Sequence, residues 1–319
     1  MSMHSVRSVS LIRPALLGLL LLLPMSAMAA GESPAVERHT VAPLAGVERY
    51  AYAAVTAADL AAEDEARAAA GQPYRFALPV DLALTPANSG SWEDLPGARR
   101  LWRLRLASPG ALSLNVGFGT CLLPPTALLH VYPAADPGRA VRLDLDGNAA
   151  HGQLWTPVLL TDEIVIELEV PLVDVPAVAL EVVQLGRGYR FFGEPERNKA
   201  GSCNIDVVCA EGDEWRDQID TVAMIAIRGV RLCSGFMVNN TAEDGQPLFM
   251  TAFHCNLDAD AAPSLVAYWN YQSPVCGQQN GGSLQQFSSG STLLAAYEAS
   301  DFTLVELDQA PPAAFGVKY

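Results

Sequence analysis

The sequence is poor in basic residues and in long apolar runs. It has 20 Lys and Arg against 35 Asp and Glu, which gives a formal charge of −15. A nucleic-acid-binding surface needs clustered Lys and Arg to neutralise phosphates, so this balance argues against one. After the first thirty residues, no apolar run reaches the ~20 residues that a membrane-spanning helix requires. The low content of basic residues argues against a nucleic-acid partner, and the short apolar runs argue against a membrane-spanning helix after residue 30.

Low-complexity tracts are also missing, and only 17% of the residues are charged. Extended disorder is therefore excluded outside the linkers. With 319 residues, half of them hydrophobic, the chain can bury the cores of two domains of ordinary size.

The first thirty residues have the layout of an export signal. Arg7 and Arg13 give a positive start, Ala15 to Leu23 form a short apolar run, and Ala27-Met28-Ala29 offers a cleavage pattern. The sequence therefore predicts a signal peptide over residues 1–29, secretion to the extracellular space, and no membrane contact after its removal. An uncleaved N-terminal anchor is the alternative.

The region after the signal is first Ala-rich and acidic, and then strand-like. One short amphipathic helix is predicted near Leu60. From about residue 74, short alternating segments separated by Gly, Pro and Asp turns predict an all-β sandwich. His130 and His151 are isolated and are interpreted as structural. The candidate strands are Tyr74–Leu78, Leu101–Leu106, Leu112–Phe118, Leu128–Tyr132, Val141–Leu145, Ile164–Val170 and Val178–Val183.

A polar stretch at 193–199 contains Gly and Pro and predicts an exposed linker, the kind of segment that proteases cut. Five of the six cysteines follow residue 200, and in an exported protein such cysteines are disulfide-bonded by default. Strands are again predicted, at Val222–Ile227, Leu232–Val238, Leu248–Thr251, Leu265–Trp269 and Phe302–Leu307.

His254 is the first candidate for chemistry, in Thr251-Ala252-Phe253-His254-Cys255. A bonded cysteine beside the imidazole would fix the turn that carries it, as a general base requires. The dipeptide alone favours the alternative, a structural histidine beside a cystine.

Asp301 is the second candidate, at the start of an apolar alternating strand. Alone, it is most simply a turn residue. Together with His254 it becomes the buried carboxylate that holds a catalytic histidine in the correct tautomer.

A zinc site formed by Cys233, His254 and Cys255 is a further possibility. Adjacent His and Cys ligands do not match a common tetrahedral spacing, and no fourth ligand accompanies them. We therefore predict no metal and no other cofactor.

Taken together, these motifs resemble a known family. Thr-Ala-x-His-Cys with a cysteine 22 residues upstream, followed by an Asp-x-x-Leu-x-x-Leu strand, resembles the chymotrypsin-like serine endopeptidases. The order His, then Asp, with Ser last belongs to that fold. The segments Gly201–Cys209, Tyr268–Gln272 and Ser300–Leu304 resemble the bacterial lysyl endopeptidases in particular.

The resemblance implies an all-β protein with a propeptide β-sandwich followed by the first β-barrel of a trypsin-like double-barrel fold. It implies a propeptide at 30–199, strand-rich from about 74, and the N-terminal half of the peptidase domain at 200–319. His254 would be the general base and Asp301 its orienting carboxylate. The substrates would be proteins or peptides, cut after lysine or another basic residue.

The resemblance also implies a disulfide framework, although no role follows for Cys121. The implied pairs are Cys233–Cys255 and Cys209–Cys276, with Cys203 bonded to a cysteine that the sequence does not contain.

The sequence departs from the family at the nucleophile, because it contains no Gly-Asp-Ser-Gly-Gly-like loop. The chain ends at Tyr319, which predicts a C-terminally truncated precursor that is itself inactive. The alternative function is a non-catalytic secreted β-protein, either a pseudo-protease or a binding module.

The linker suggests how the precursor is processed. Cleavage after Lys199 would free an amino terminus at Ala200, and a lysine-specific enzyme could cut this bond itself. The propeptide would then be an intramolecular partner of the peptidase domain, as a folding assistant or an inhibitor.

Overall fold

The computed structural model describes residues 33–53, 55–145, 147–191, 205–278 and 281–319. The predicted signal peptide, the Lys199–Ala200 bond and Cys203 lie outside these residues. Within them, no helix has both the length and the apolar character to cross a membrane.

The described residues form three α-helices and eighteen β-strands, numbered in chain order. They are α1 (Ala35–Arg38), β1 (Arg49–Ala51), α2 (Ala57–Ala69), β2 (Tyr74–Arg75), β3 (Ala77–Leu84), β4 (Ser91–Leu95), β5 (Arg99–Ala107), β6 (Ser113–Leu122), β7 (Leu128–Pro133), β8 (Val141–Arg142), β9 (Leu154–Trp155), β10 (Glu163–Pro171), β11 (Ala179–Gly188), α3 (Arg216–Ile219), β12 (Val222–Ile227), β13 (Arg231–Val238), β14 (Leu248–Thr251), β15 (Val266–Trp269), β16 (Phe287–Ser289), β17 (Ser291–Tyr297) and β18 (Phe302–Leu307).

Helix α2 is the helix that the sequence predicts near Leu60. A capping box starts it: the Asp59 amide donates to the Thr56 hydroxyl at 3.3 Å, and the Thr56 amide donates to the Asp59 carboxylate at 2.9 Å. These bonds satisfy two amides that have no partner within the helix, so the helix begins at Ala57.

The first eleven strands, apart from β2, form a sandwich of two sheets. One sheet has the order β1–β5–β10–β7–β8, with β4 also paired to β5, and the other has the order β3–β11–β6–β9. Alternate residues of each strand face the space between the sheets. Leu104, Val131 and Ile166 from the first sheet meet Val116 and Val182 from the second in one buried core.

The outer face of strand β10 is buried as well, although it carries charge. Glu167 accepts hydrogen bonds from the Ala35 amide and from the Tyr132 hydroxyl, and Glu169 pairs with Arg38 and Arg99. Burial raises the pKa of Glu167, and the two hydrogen bonds oppose this shift. The segment around α1 thus covers a charged cluster that must be paired to be buried.

The remaining strands form an antiparallel sheet with the order β16–β15–β12–β13–β14–β18–β17, with β2 also paired to β13, and this sheet curls into a half-barrel. Its core includes Ile225, Phe249, Trp269 and Val305, with the Phe249 and Trp269 rings edge to face at 5.9 Å. Strand β13 needs a glycine at its centre, because a Cβ on Gly235 would lie 2.4 Å from the Phe249 ring.

The predicted all-β class is confirmed by this sandwich and half-barrel. Two strand predictions need correction. The segment Val141–Leu145 forms a strand only at Val141 and Arg142, although the Leu143 amide still donates to the Leu129 carbonyl at 2.9 Å. The segment Tyr74–Leu78 is divided at Phe76, because the Phe76 amide donates to the Val230 carbonyl and the chain then passes from one sheet to another.

Candidate active site

His254 lies in a tight turn directly after strand β14. The turn is a single 3₁₀ segment over Phe253–Cys255, and Asn256 ends it with a left-handed φ of 57°. Below it, the Thr251 hydroxyl donates to the Ser234 carbonyl at 2.7 Å. Cys255 is bonded to Cys233. The turn is therefore attached to strand β13 at two points, which limits the movement of the imidazole.

Asp301 lies in the turn between β17 and β18. Its φ of 51° is left-handed, a conformation that Asp adopts more readily than most residues. Strand β18 pairs with β14 so that Thr303 lies opposite Thr251. This register brings His254 and Asp301, which are 47 positions apart, to the same end of the sheet.

The two side chains are hydrogen-bonded. His254 Nδ1 lies 2.8 Å from Asp301 Oδ2, and the His254 amide donates to Asp301 Oδ1 at 2.9 Å. A carboxylate only accepts hydrogen bonds, so Nδ1 carries the hydrogen and the Nε2 lone pair is free to take a proton. This tautomer is the one that a general base requires.

The main-chain hydrogen bond has the larger electrostatic effect on the carboxylate. The hydrogen bond from the His254 amide makes the largest contribution, and the bond from the His254 side chain the next largest. Together they lower the pKa of Asp301 below its usual range. Asp301 therefore remains ionised opposite the imidazole.

One expectation about the pair is wrong, because Asp301 is not buried. The side chains of His254 and Asp301 are 58% and 51% exposed. The carboxylate lies in a turn that joins two strands, and not within the sheet, which leaves half of it open to solvent.

The cysteines form the two bonds that the family resemblance implies. Cys209 is joined to Cys276 and Cys233 to Cys255. Cys121 is a buried thiol, and burial raises its pKa to about 12. A thiol with so high a pKa is inert at neutral pH, because only the thiolate reacts.

The possible metal ligands Cys233, His254 and Cys255 do come together, with ligand atoms within 4.8 Å of one another. The two sulfurs, however, are bonded to each other. Zinc binds cysteine as the thiolate, so the disulfide removes two of the three donors that such a site would use.

One groove of the described residues lies away from the pair. It has a volume of about 760 Å³ and is lined by Pro157, Leu160, Tyr271 and Gln285, among others. It contains neither His254 nor Asp301. The candidate site is therefore defined by the hydrogen-bonded His254–Asp301 pair and not by this groove.

Sequence reasoning missed two residues that position the site. Thr251 anchors the histidine turn, and Asn256 closes it in the left-handed conformation. Thr251 belongs to the Thr-Ala-x-His-Cys motif, but the sequence does not show that it anchors the turn. Asn256 could have been found, since Asn is a frequent residue at left-handed positions after a turn.

An antiparallel half-barrel carrying a His–Asp pair, with His first in the chain, defines the class of trypsin-like serine endopeptidases. Two family models refine this class. The model described as "Lysyl endopeptidase N-terminal domain" matches residues 51–186, and "Lysyl endopeptidase, C-terminal domain" matches residues 197–319. The chain therefore belongs to the lysyl endopeptidase group.

A curated relative supports this placement. The chain is 29% identical over 254 residues to a protein named "Lysyl endopeptidase" from Pseudomonas aeruginosa. The match covers 72% of this chain and 53% of the relative. The chain thus spans about half the length of the curated relative that it matches.

Proposed function

We propose that this chain comprises the propeptide and the first peptidase barrel of a secreted serine endopeptidase that cuts after lysine or another basic residue. The observation that carries the proposal is the double hydrogen bond between His254 and Asp301. The name of the Pseudomonas relative supports the preference for lysine. The proposed boundaries are residues 1–29 for the signal, 30–199 for the propeptide and 200–319 for the barrel.

In the proposed mechanism, His254 Nε2 removes the proton of a serine hydroxyl as that oxygen attacks the scissile carbonyl. Asp301 holds Nδ1 protonated and stabilises the imidazolium that forms. The imidazolium then gives its proton to the leaving amine, and the same cycle with water releases the acyl group. Substrates are proteins or peptides, and the two described residues need no metal or other cofactor for these steps.

The serine must come from outside residues 1–319, which contain no Gly-Asp-Ser-Gly-Gly-like loop. Of the serines beside glycines, Ser289 uses its hydroxyl in the structure, where it donates to the Trp155 carbonyl at 2.7 Å. Loss of a triad serine costs on the order of 10⁶ in rate, so residues 1–319 alone are proposed to be inactive.

Export and processing form part of the same proposal. The signal-like residues 1–29 and the two disulfides support secretion, since such bonds persist in oxidising compartments. Cleavage between Lys199 and Ala200 would separate the propeptide. Sequencing the amino terminus of the mature protein checks this step, and a terminus far from Ala200 would exclude it.

The gene decides between this function and its alternative. Reading the source DNA through codon 319 should show an open frame of about 100 further codons, the length that a second barrel needs, with a nucleophile loop and a cysteine for Cys203. A stop codon there, with no such loop in a nearby frame, would favour a non-catalytic binding protein.

A further inference from the structure

The sandwich and the half-barrel share a buried apolar cluster. Phe76, Trp155 and Val158 from the sandwich side pack with Val266 and Tyr268 from the barrel. Tyr268 is fully buried. Its hydroxyl has its hydrogen-bond partner across this contact, where the Val158 amide donates to it at 2.8 Å. We call this contact, including the hydrogen bonds around it, the docking face.

Main-chain carbonyls of the β12–β13 turn are bound from the sandwich. Asn115 Nδ2 donates to the Gly229 carbonyl at 2.8 Å, and Gln184 Nε2 donates to the Arg228 carbonyl at 2.7 Å. Gly229 has a φ of +62°, and a Cβ there would lie 1.9 Å from Asn115 Oδ1. The turn and the sandwich therefore approach more closely than a larger residue would allow.

Strand β2 extends the contact, because it belongs to the propeptide region but pairs with β13 of the barrel. Tyr74 lies opposite Leu232, and Arg75 lies opposite Arg231. Separating the two regions would break this pairing and leave main-chain groups of β13 without partners.

A hydrogen-bonded histidine–aspartate pair completes the docking face. His151 Nε2 lies 2.8 Å from Asp308 Oδ2, and the two side chains are 13% and 4% exposed. The Gln153 amide donates to His151 Nδ1 at 3.1 Å, so Nδ1 is the acceptor and Nε2–H donates to Asp308. If the sandwich left, Asp308 would lose this hydrogen bond.

The docking face does not cover the candidate catalytic pair. Asp308 follows the last residue of β18, whereas Asp301 precedes its first residue. His254 and Asp301 stay 58% and 51% exposed with the sandwich in place. The His151–Asp308 contact thus lies at the other end of β18 from Asp301.

We infer that the sandwich, residues 33–191, stays bound to the barrel after the linker is cut, and supports the barrel without blocking His254. Release would expose the apolar cluster to water and break the hydrogen bonds of the docking face, which is unfavourable. The inference rests on the proposed function only in taking the linker as the processing site.

The direct test is to cut the linker in the full 319-residue chain. Residues 194–199 are replaced by the recognition sequence of a site-specific protease, and the cleaved protein is passed through a size-exclusion column at micromolar concentration. We expect the two fragments to elute together and to separate in denaturant. Elution as two separate folded fragments in native buffer would overturn the inference.

A pair of variants shows whether the docking face holds the fragments. Tyr268→Phe leaves the buried Val158 amide without its acceptor, so we expect the dissociation constant to rise about tenfold. Tyr297→Phe is the matched control in the half-barrel. Tyr297 is 61% exposed, so this variant should leave the dissociation constant unchanged. An unchanged constant for Tyr268→Phe, or equal weakening by both variants, would contradict the docking face.

Accessibility of His254 is measured separately, by modification with diethyl pyrocarbonate and peptide mapping. In the intact chain we expect His254 to react at a rate comparable to that in the urea-unfolded chain. Strong protection of His254 would mean that the propeptide region blocks the pair. None of these measurements depends on catalysis, so they can fail or succeed independently of the proposed peptidase activity.

Discussion

At the scale of single residues, Asp301 has an environment unlike that of an ordinary surface carboxylate. It is half exposed, yet both of its oxygens accept a hydrogen bond from His254, one from the amide and one from the ring. The amide bond depends on the fold of the turn, and the ring bond depends on the side chain. A substitution of His254 can therefore separate the two contributions.

The first prediction concerns the pKa of Asp301, measured by carbon NMR titration of the folded chain. We expect the pKa of Asp301 in the folded chain to lie below its usual value. Ionised Asp301 then stabilises the folded chain at every pH above the pKa of the unfolded state. This stabilisation is lost as the pH falls through the lower pKa of the folded state. In His254→Ala the pKa should rise but stay below the usual value, because the amide still donates. A pKa in wild type at or above the usual value would contradict the geometry.

A second prediction concerns Glu167, which is buried and has a raised pKa. When the pKa of a carboxyl group is higher in the folded state than in the unfolded state, the free energy of unfolding falls as pH rises between these two pKa values. Glu167→Gln should therefore increase the free energy of unfolding at pH 7 more than at pH 4, measured by urea denaturation. Glu65→Gln, at an exposed position of α2, is the control. A lower free energy of unfolding at pH 7 in Glu167→Gln, with no change in Glu65→Gln, would contradict the prediction and show that the charge of Glu167 is needed.

At the scale of elements, the pairing of β14 with β18 and the disulfide beside β14 determine where His254 and Asp301 meet. The Cys233–Cys255 bond closes a loop of 22 residues next to the histidine, whereas Cys209–Cys276 closes one of 67 residues. Their effects on stability and on the site should therefore differ.

The third prediction compares the two bonds. By loop entropy, Cys233→Ala/Cys255→Ala should cost about 3 kcal/mol of unfolding free energy and Cys209→Ala/Cys276→Ala about 4 kcal/mol. Only the first variant should also raise the pKa of Asp301, because it frees the turn that carries His254. Equal shifts of this pKa in both variants would mean that the disulfide next to His254 has no special positioning role.

The elements also show how far sequence patterns reach. Strands β12, β14 and β18 have the predicted bounds, because each is an uninterrupted apolar or alternating run. Strand β17 was not predicted, since most of its residues are exposed and its Leu and Ala residues give no clear alternation. Strand β4 is short and polar, and it pairs with β5 through a local turn.

The candidate site could be predicted only in part. Each of His254 and Asp301 has a simpler structural interpretation alone, and their proximity depends on a strand register that connects positions 47 residues apart. The residue types suggested the pairing, and the family resemblance gave each residue its role. The exposure of Asp301 was predicted wrongly, because burial depends on which other segments cover the turn.

At the scale of the whole molecule, residues 33–319 form one compact unit. The sequence predicts a sandwich and a barrel separated by a linker, with the propeptide as an intramolecular partner, but it gives no sign of which residues make the contact. Tyr268 and Val158, for example, are 110 residues apart. Such contacts depend on how complete sheets pack. The sequence around an isolated histidine such as His151 likewise does not show which residue it will bond to.

The central claim is that Asp301 and His254 are the acid–base pair of a serine endopeptidase. The most direct test is to express the gene with the reading frame beyond codon 319 and to measure kcat and KM on peptides that differ only in Lys, Arg or Leu before the cut. We expect cleavage after Lys or another basic residue, and a loss of about 10⁴ in kcat for Asp301→Asn with KM nearly unchanged. An Asp301→Asn protein as active as wild type, or a folded wild-type protein that cuts none of the peptides, would contradict the claim.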